Sequence, residues 1–254
     1  MPTNNFKKKL GSGQTQFGLW CSFPSSFATE VVAGAGYDWL LFDTEHSPGD
    51  PITVLPQLQA AAAYPDVSAL VRPASNDPVL IKRFLDIGAQ TLLVPFVQTV
   101  DETELAVQAS RYAPNGFRGV SALTRATRFG REKGYFDRAS DDICIIVQIE
   151  TQAGLDSLDA IARVDGVDAV FVGPADLAAS LGYGSEQTHP DMQATIIDTL
   201  KRIRAAGKPA GVLTGDPVLQ KSAVEVGVDF MGVGVDVGLL ARGAEALLEK
   251  SKSL

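Results

Sequence analysis

Four carboxylates, a histidine and an arginine stand where short apolar runs of this 254-residue chain give way to polar residues. The runs end in Asp43-Thr44-Glu45-His46, in Arg72-Pro73, in Gln148-Ile149-Glu150-Thr151 and in Gly173-Pro174-Ala175-Asp176-Leu177. If the runs are neighbouring strands, the carboxylates of Glu150 and Asp176 could share a hard cation and leave room for substrate oxygens and water. Mg2+ or Mn2+ suits that donor pair. A structural zinc does not, because it takes four ligands drawn mostly from Cys and His. The alternative is that Glu150 caps the following helix and Asp176 is a solvated loop acid, since acids are common at helix starts.

His46 is one of two histidines and lies three residues beyond Asp43. A contact with Asp43 would orient the imidazole and raise its basicity, making a general base near neutral pH; a surface histidine beside an acid is the plain alternative. Arg72 ends a buried run, where a guanidinium needs an anionic partner. That partner is a substrate carboxylate, a developing enolate, or Glu45 or Asp43. An imine-forming aldolase would need a lysine in the same place. Lys82, Lys201, Lys221 and Lys250 fall on helical patterns, Lys133 lies in a long connection, and Lys208 precedes its strand at the wrong end. Carbonyl chemistry here would therefore stabilise its carbanion with a metal ion and arginine.

The elements that must position these groups follow from periodicity. Runs rich in Val, Ile, Leu and Phe at 16–22, 39–44, 67–72, 91–97, 143–149, 169–172, 210–213 and 230–233 read as strands buried on both faces. Helical patterns follow each, at 26–35, 51–64, 78–87, 101–112, 151–164, 191–206, 217–226 and 237–250. Asp77 before Pro78, Asp101 ahead of Glu102 and Glu104, and Asp216 before Pro217 mark helix starts. Gly36, Gly88, Gly166, Gly207 and Gly227 sit where left-handed helix caps belong. Eight strand-then-helix units in a chain of this length predict an α/β fold, a (β/α)8 TIM barrel in a single domain. Active sites of such barrels sit at the C-terminal ends of the strands, where the four loaded segments fall. Two connections, 113–142 and 173–190, are too long for plain turns and are expected at that same end.

The composition narrows the partners. Apolar residues make up 45% and charged residues 20%, enough for a core. A net charge of −8 argues against nucleic acid and against an anionic membrane surface. No apolar run is long enough to span a bilayer, and the lysines of the first residues precede no apolar stretch, which predicts a cytoplasmic protein. Cys21 and Cys144 lie in apolar stretches without metal or redox spacing and are expected to be buried thiols. The glycines between Gly232 and Gly238 would let backbone amides approach an anion, or fit a tight barrel end. The broad apolar face made by Leu239, Leu240, Ala244, Leu247 and Leu248 predicts a homo-oligomer.

Taken together, the four segments, with Gly173 to Gly182 read as one motif, resemble the HpcH/HpaI aldolases over nearly the whole chain. The resemblance implies a class II, metal-dependent pyruvate aldolase in which Glu150 and Asp176 hold a divalent ion, with Co2+, Ni2+ or Zn2+ as further candidates beside Mg2+ and Mn2+. It implies that His46, oriented by Asp43, is the base, acting through a metal-bound water, and that Arg72 binds substrate and steadies the enolate. The backbone amides of Ala175 and Asp176 would hold the pyruvate carboxylate, with Gln148, Trp20 and Leu213 at the pocket. The implied substrates are a 2-oxoacid, pyruvate or hydroxypyruvate, and an aldehyde; 2-oxoacid decarboxylation or cleavage of a coenzyme A thioester is the alternative at the same metal-enolate site. Family members are hexamers whose last helix packs on a neighbouring subunit. This sequence departs from the usual motif at Thr44, where Gly is common, and at Ser47-Pro48-Gly49, where Ala-Pro-Asn is common. Both departures fall beside the base and bear on the aldehyde.

Overall fold

The computed structural model describes residues 3–184 and 186–254. Eight parallel strands, β1 (Gln16–Cys21), β2 (Trp39–Asp43), β3 (Ser68–Arg72), β4 (Thr91–Val94), β5 (Cys144–Ile149), β6 (Ala169–Val172), β7 (Ala210–Leu213) and β8 (Phe230–Val235), pair in chain order. β8 returns to pair with β1, so the sheet is closed: the fold is the expected (β/α)8 barrel. β4 stops at Val94, short of the expected 97, because Pro95 has no N–H to continue the ladder.

The eight expected helices are present as α2 (Ser26–Ala33), α3 (Pro51–Ala61), α4 (Pro78–Asp86), α5 (Val100–Ser110), α7 (Gln152–Ala162), α9 (Pro190–Ala205), α10 (Pro217–Glu225) and α11 (Asp236–Lys252). Asp77 and Asp216 cap α4 and α10 through their carboxylates, as expected. α5 differs. Its cap is Thr99, whose hydroxyl accepts the Glu102 N–H while the Glu102 carboxylate accepts the Thr99 N–H, a reciprocal pair that starts the helix ahead of Asp101. The five expected capping glycines all have positive φ, from 79° to 98°. No described helix is long and apolar enough to cross a membrane.

Three short helices were not expected from the sequence: α1 (Asn5–Lys9), α6 (Tyr135–Asp142) and α8 (Pro174–Ser180). α1 closes the bottom of the barrel. Phe6 enters the interior edge-on to Trp39 and Phe230, with ring centroids 6.4 and 5.3 Å away. The Asn4 amide anchors it on the Gln90 and Asp142 carbonyls and on Thr91 Oγ1.

Alternation along the strands builds two cores. On β2, Trp39 and Leu41 join the barrel interior with Phe6, Trp20, Leu70, Leu93, Cys144, Ile146, Phe171 and Phe230, whereas Leu40 and Phe42 face the helices. Large rings fit inside because glycines stand opposite them. A Cβ on Gly211 would lie 2.2 Å from the Phe230 ring, and one on Gly18 would lie 2.0 Å from Trp39. Gly211→Ala is therefore expected to destabilise the protein by about 3 kcal/mol through overpacking. A urea midpoint equal to the parent's would show that this ring is not pinned.

The two long connections part company. Residues 173–190 do follow a strand, β6, and begin with α8 at the mouth. Residues 113–142 follow a helix, α5, and lead into β5, so they lie on the bottom face, contrary to expectation. Arg118 pairs there with Asp86 at 2.7 Å, and Arg125 donates to the Ile87 carbonyl at 2.8 Å, both at the end of α4. A connection from helix to strand has to cross to the end where the next strand starts, whatever its length.

Candidate active site

The strand ends converge on a cavity of about 910 Å3 at the C-terminal mouth, lined by Trp20, His46, Arg72, Gln148, Ala175, Asp176 and Leu213 among others. The sequence-derived candidates thus come together, with Asp43 and Glu150 buried just beneath them. No lysine lines this cavity among the described residues.

Arg72 is the most heavily bonded of these groups. Its residue pairs with Asp43 in the β2–β3 register, and its Nε and Nη2 donate to the two Asp43 carboxylate oxygens at 2.8 and 2.7 Å. Nη1 lies 2.8 Å from Glu45 Oε2, a charge contact whose angle falls outside hydrogen-bond geometry. The Trp20 ring sits 4.9 Å from the guanidinium carbon and itself leans on Phe171. One N–H on Nη2 and both on Nη1 remain for a further acceptor. Both partners left open in the sequence, Asp43 and Glu45, are therefore used.

The expected Asp43–His46 side-chain pair is corrected here. The Asp43 carboxylate is engaged by Arg72 and by the backbone N–H groups of Glu45 and His46, a turn that sends the imidazole outward. His46 Nε2 faces Glu45 Oε2 at 3.9 Å, and its side chain is 63% exposed. Burial pushes the Asp43 carboxyl up, but Arg72 and the two backbone donors outweigh it and hold the carboxyl below its usual range. Glu45 ends raised: burial and the charges of Asp43 and Asp176 outweigh Arg72 and His46. The departures from the family motif tighten the same turn. Thr44 Oγ1 donates to the Arg72 carbonyl at 2.7 Å, the Ser47 hydroxyl donates to the Asp43 carbonyl, and a Cβ on Gly49 would meet that carbonyl at 2.9 Å.

Glu150 is 2% exposed, just past the end of β5. Its Oε1 accepts the Phe96 N–H at 2.7 Å and its Oε2 accepts from the Gln148 amide. Burial first, then the charges of Glu45 and Asp176, push its carboxyl up to about 7 against the two hydrogen bonds. It does not cap α7, which is capped by Thr151. Asp176 is exposed to the cavity on the first turn of α8, whose Ala175 and Asp176 N–H groups have no acceptor within the helix. Gly173 keeps the space between open, since a Cβ there would lie 2.8 Å from Glu150 Oε2.

This donor set fits a hard divalent ion. Two carboxylates of neighbouring strands, one of them desolvated and raised by like charge, lack a local positive charge that Arg72 does not supply to them. No group of three or more His, Cys, Asp or Glu gathers as a cage among the described residues, so a cation here would take its remaining ligands from water or substrate. Sequence reasoning missed Phe96. It holds Glu150 through its backbone at φ 56°, a left-handed conformation no residue type announces.

A family model described as HpcH/HpaI aldolase/citrate lyase matches residues 16–243. This chain belongs to that family. It is 60% identical over 247 residues to a pyruvate aldolase of Rhizobium etli, covering 97% of each chain. It is 54% identical over 245 residues to a 4-hydroxy-2-oxo-heptane-1,7-dioate aldolase of Klebsiella pneumoniae, covering 96% of this chain and 92% of the relative. The crystal structure of a family protein from Burkholderia cenocepacia superposes with a TM-score of 0.94 at 38% identity, covering 98% of this chain and all of the other. The family member described here is a carbon–carbon lyase of the aldolase type.

Proposed function

We propose that this protein joins a pyruvate-like enolate to an aldehyde, and cleaves the product, at the mouth lined by Arg72, His46 and Asp176. The single observation that carries this reading is the acidic cluster under that mouth. Glu150 is buried with its carboxyl pushed up to about 7 by burial and by the charges of Glu45 and Asp176, while Arg72 is taken up by Asp43 and Glu45. Glu150 and Asp176 would hold Mg2+ or Mn2+, which supplies Lewis-acid stabilisation of the negative charge developing on the substrate's keto oxygen.

The chain's own residues do the rest. The free N–H groups of Ala175 and Asp176 and the Gln148 side chain bind the substrate carboxylate. Arg72, held rigid by Asp43 and by the Trp20 ring, directs its remaining N–H donors at the developing oxyanion. His46 takes the proton from the methyl carbon, and Glu45 stabilises the imidazolium that forms. Trp20 and Leu213 wall the pocket, and the aldehyde approaches beside His46. After bond formation, the proton held by His46 passes to the new 4-hydroxyl oxygen.

The test is deuterium exchange into the pyruvate methyl group. Exchange should be lost with chelator, return with Mg2+ or Mn2+, and leave no borohydride-trapped lysine adduct, since no lysine lines the cavity among the described residues. Chelator-resistant exchange, or a lysine adduct by mass spectrometry, would overturn the reading.

The same proposal places one barrel domain in a cytoplasmic hexamer. α11 supports the association of copies: Asp236 is its one buried residue, while Leu239, Leu240, Leu247 and Leu248 are each more than half exposed. Such a face is covered in solution by a second copy, with the helix laid on the neighbouring barrel. Sedimentation at micromolar concentration should show no monomer, and Leu240→Glu with Leu247→Glu should release smaller species. A monomeric parent protein would sink the idea.

A further inference from the structure

The opposite end of the barrel carries a second cavity, of about 670 Å3, that the chemistry above does not use. Its floor is made by the starts of β3 and β4, at Ser68 and Thr91, and by Asn4 beside α1. One wall is the bottom-face connection, which contributes Arg125, Arg128, Phe129 and Arg131. No Asp or Glu lines it among the described residues. In a chain of net charge −8, three guanidinium groups around one cavity without a carboxylate are out of keeping with the rest of the surface.

Arg125 makes the case specific. It is half-buried, and burial alone lowers its pKa, with no acid among the described residues to offset the loss of water. Its one acceptor among the described residues is the neutral Ile87 carbonyl, on Nη1. The guanidinium packs against Gly88 so closely that a Cβ there would lie 2.6 Å from Nη1, so the backbone makes room for it. A desolvated guanidinium is retained where an anion meets it.

The loop that supplies the other arginines is held in a costly shape. Arg128 and Phe129 are consecutive non-glycine residues at φ 48° and 57°, a left-handed pair that brings both side chains to the cavity. Thr127 braces it, its hydroxyl accepting the Gly130 N–H and donating to the carbonyls of this turn. Arg128 approaches Glu132 at 3.7 Å, a carboxylate that Arg138 also engages, and Arg131 donates to the Arg128 carbonyl.

We propose that this bottom cavity is a binding site for a small oxyanion, a phosphate-bearing or carboxylate-bearing molecule held by Arg125, Arg128 and Arg131. Planar guanidinium groups match both anions through paired N–H donors, and the volume admits a small metabolite. The site is separated from the mouth by the length of the barrel and does not depend on the reaction assigned there.

Calorimetric titration of the full-length protein with inorganic phosphate and, separately, citrate tests this. Ionic strength is matched with sodium chloride and no divalent ion is added, and the bottom-cavity variants below separate binding there from any anion bound at the mouth. Saturable binding of either is expected, and the tighter one identifies the anion class. Arg128→Ala with Arg131→Ala, at two exposed positions, should weaken binding about tenfold or more, as loss of charge-assisted hydrogen bonds does. Arg125→Gln should weaken it as much, with unchanged circular dichroism confirming the fold. Heats no larger than those of sodium chloride, or an undiminished affinity in the double variant, would overturn the proposal.

Discussion

Glu150→Ala is expected to abolish divalent-ion binding and to lower pyruvate proton exchange by several orders of magnitude. The size follows from what the side chain does: it is one of two carboxylates proposed to hold the ion, and the electrostatic stabilisation of the enolate goes with the ion. Loss of a single oxyanion donor already costs about 10²–10³ in rate, and a divalent cation stabilises the same charge more strongly than one neutral donor does. The apo protein should respond in the opposite sense. Glu150 is desolvated and faced by Glu45 and Asp176, so Glu150→Gln removes a carboxyl that burial and like charge disfavour. The apo variant is expected to melt no lower than apo parent protein, while only the parent gains stability on adding Mn2+. Metal titration followed by calorimetry separates these effects. Retained metal affinity in Glu150→Ala would remove Glu150 from the ligand set.

His46→Ala should slow the same exchange by about two to four orders of magnitude while leaving metal affinity close to the parent value, because a general base is lost and no ligand is. The structure adds a second arm. The imidazole faces Glu45, and Asp43 is bonded to Arg72, so the two acids should give different phenotypes. Glu45→Gln should depress the exchange rate through His46, with a smaller effect than His46→Ala. Asp43→Asn breaks a buried ion pair and leaves Arg72 short of a partner, so it should also lower the unfolding free energy by about 3–5 kcal/mol. Full exchange in His46→Ala, or a loss of metal equal to that of Glu150→Ala, would show that His46 is not the base.

The sequence by itself determined the barrel. Strands buried on both faces, each followed by a helical pattern with a capping acid or glycine, leave a closed parallel sheet as the solution at this length, and β6 and β7 carry the expected limits unchanged. It also determined which residues meet, because every strand of a barrel delivers its last residues to one mouth: Asp43, Arg72, Glu150 and Asp176 needed only their places at strand ends to be brought together. The tertiary structure decided the pairings. Asp43 and Arg72 are neighbours in the β2–β3 register, a relation fixed by sheet pairing and invisible in a segment where His46 is nearer in sequence. Phe96 reaches Glu150 through a backbone conformation set by the turn after β4, and α1 owes its place to Phe6 filling a hole between Trp39 and Phe230 that exists only when the barrel is closed. The bottom-face connection shows the same division. Its arginines are plain in the sequence, but only the crossing from α5 to β5 puts them at the end away from the mouth, around a cavity with no acid among the described residues of its wall.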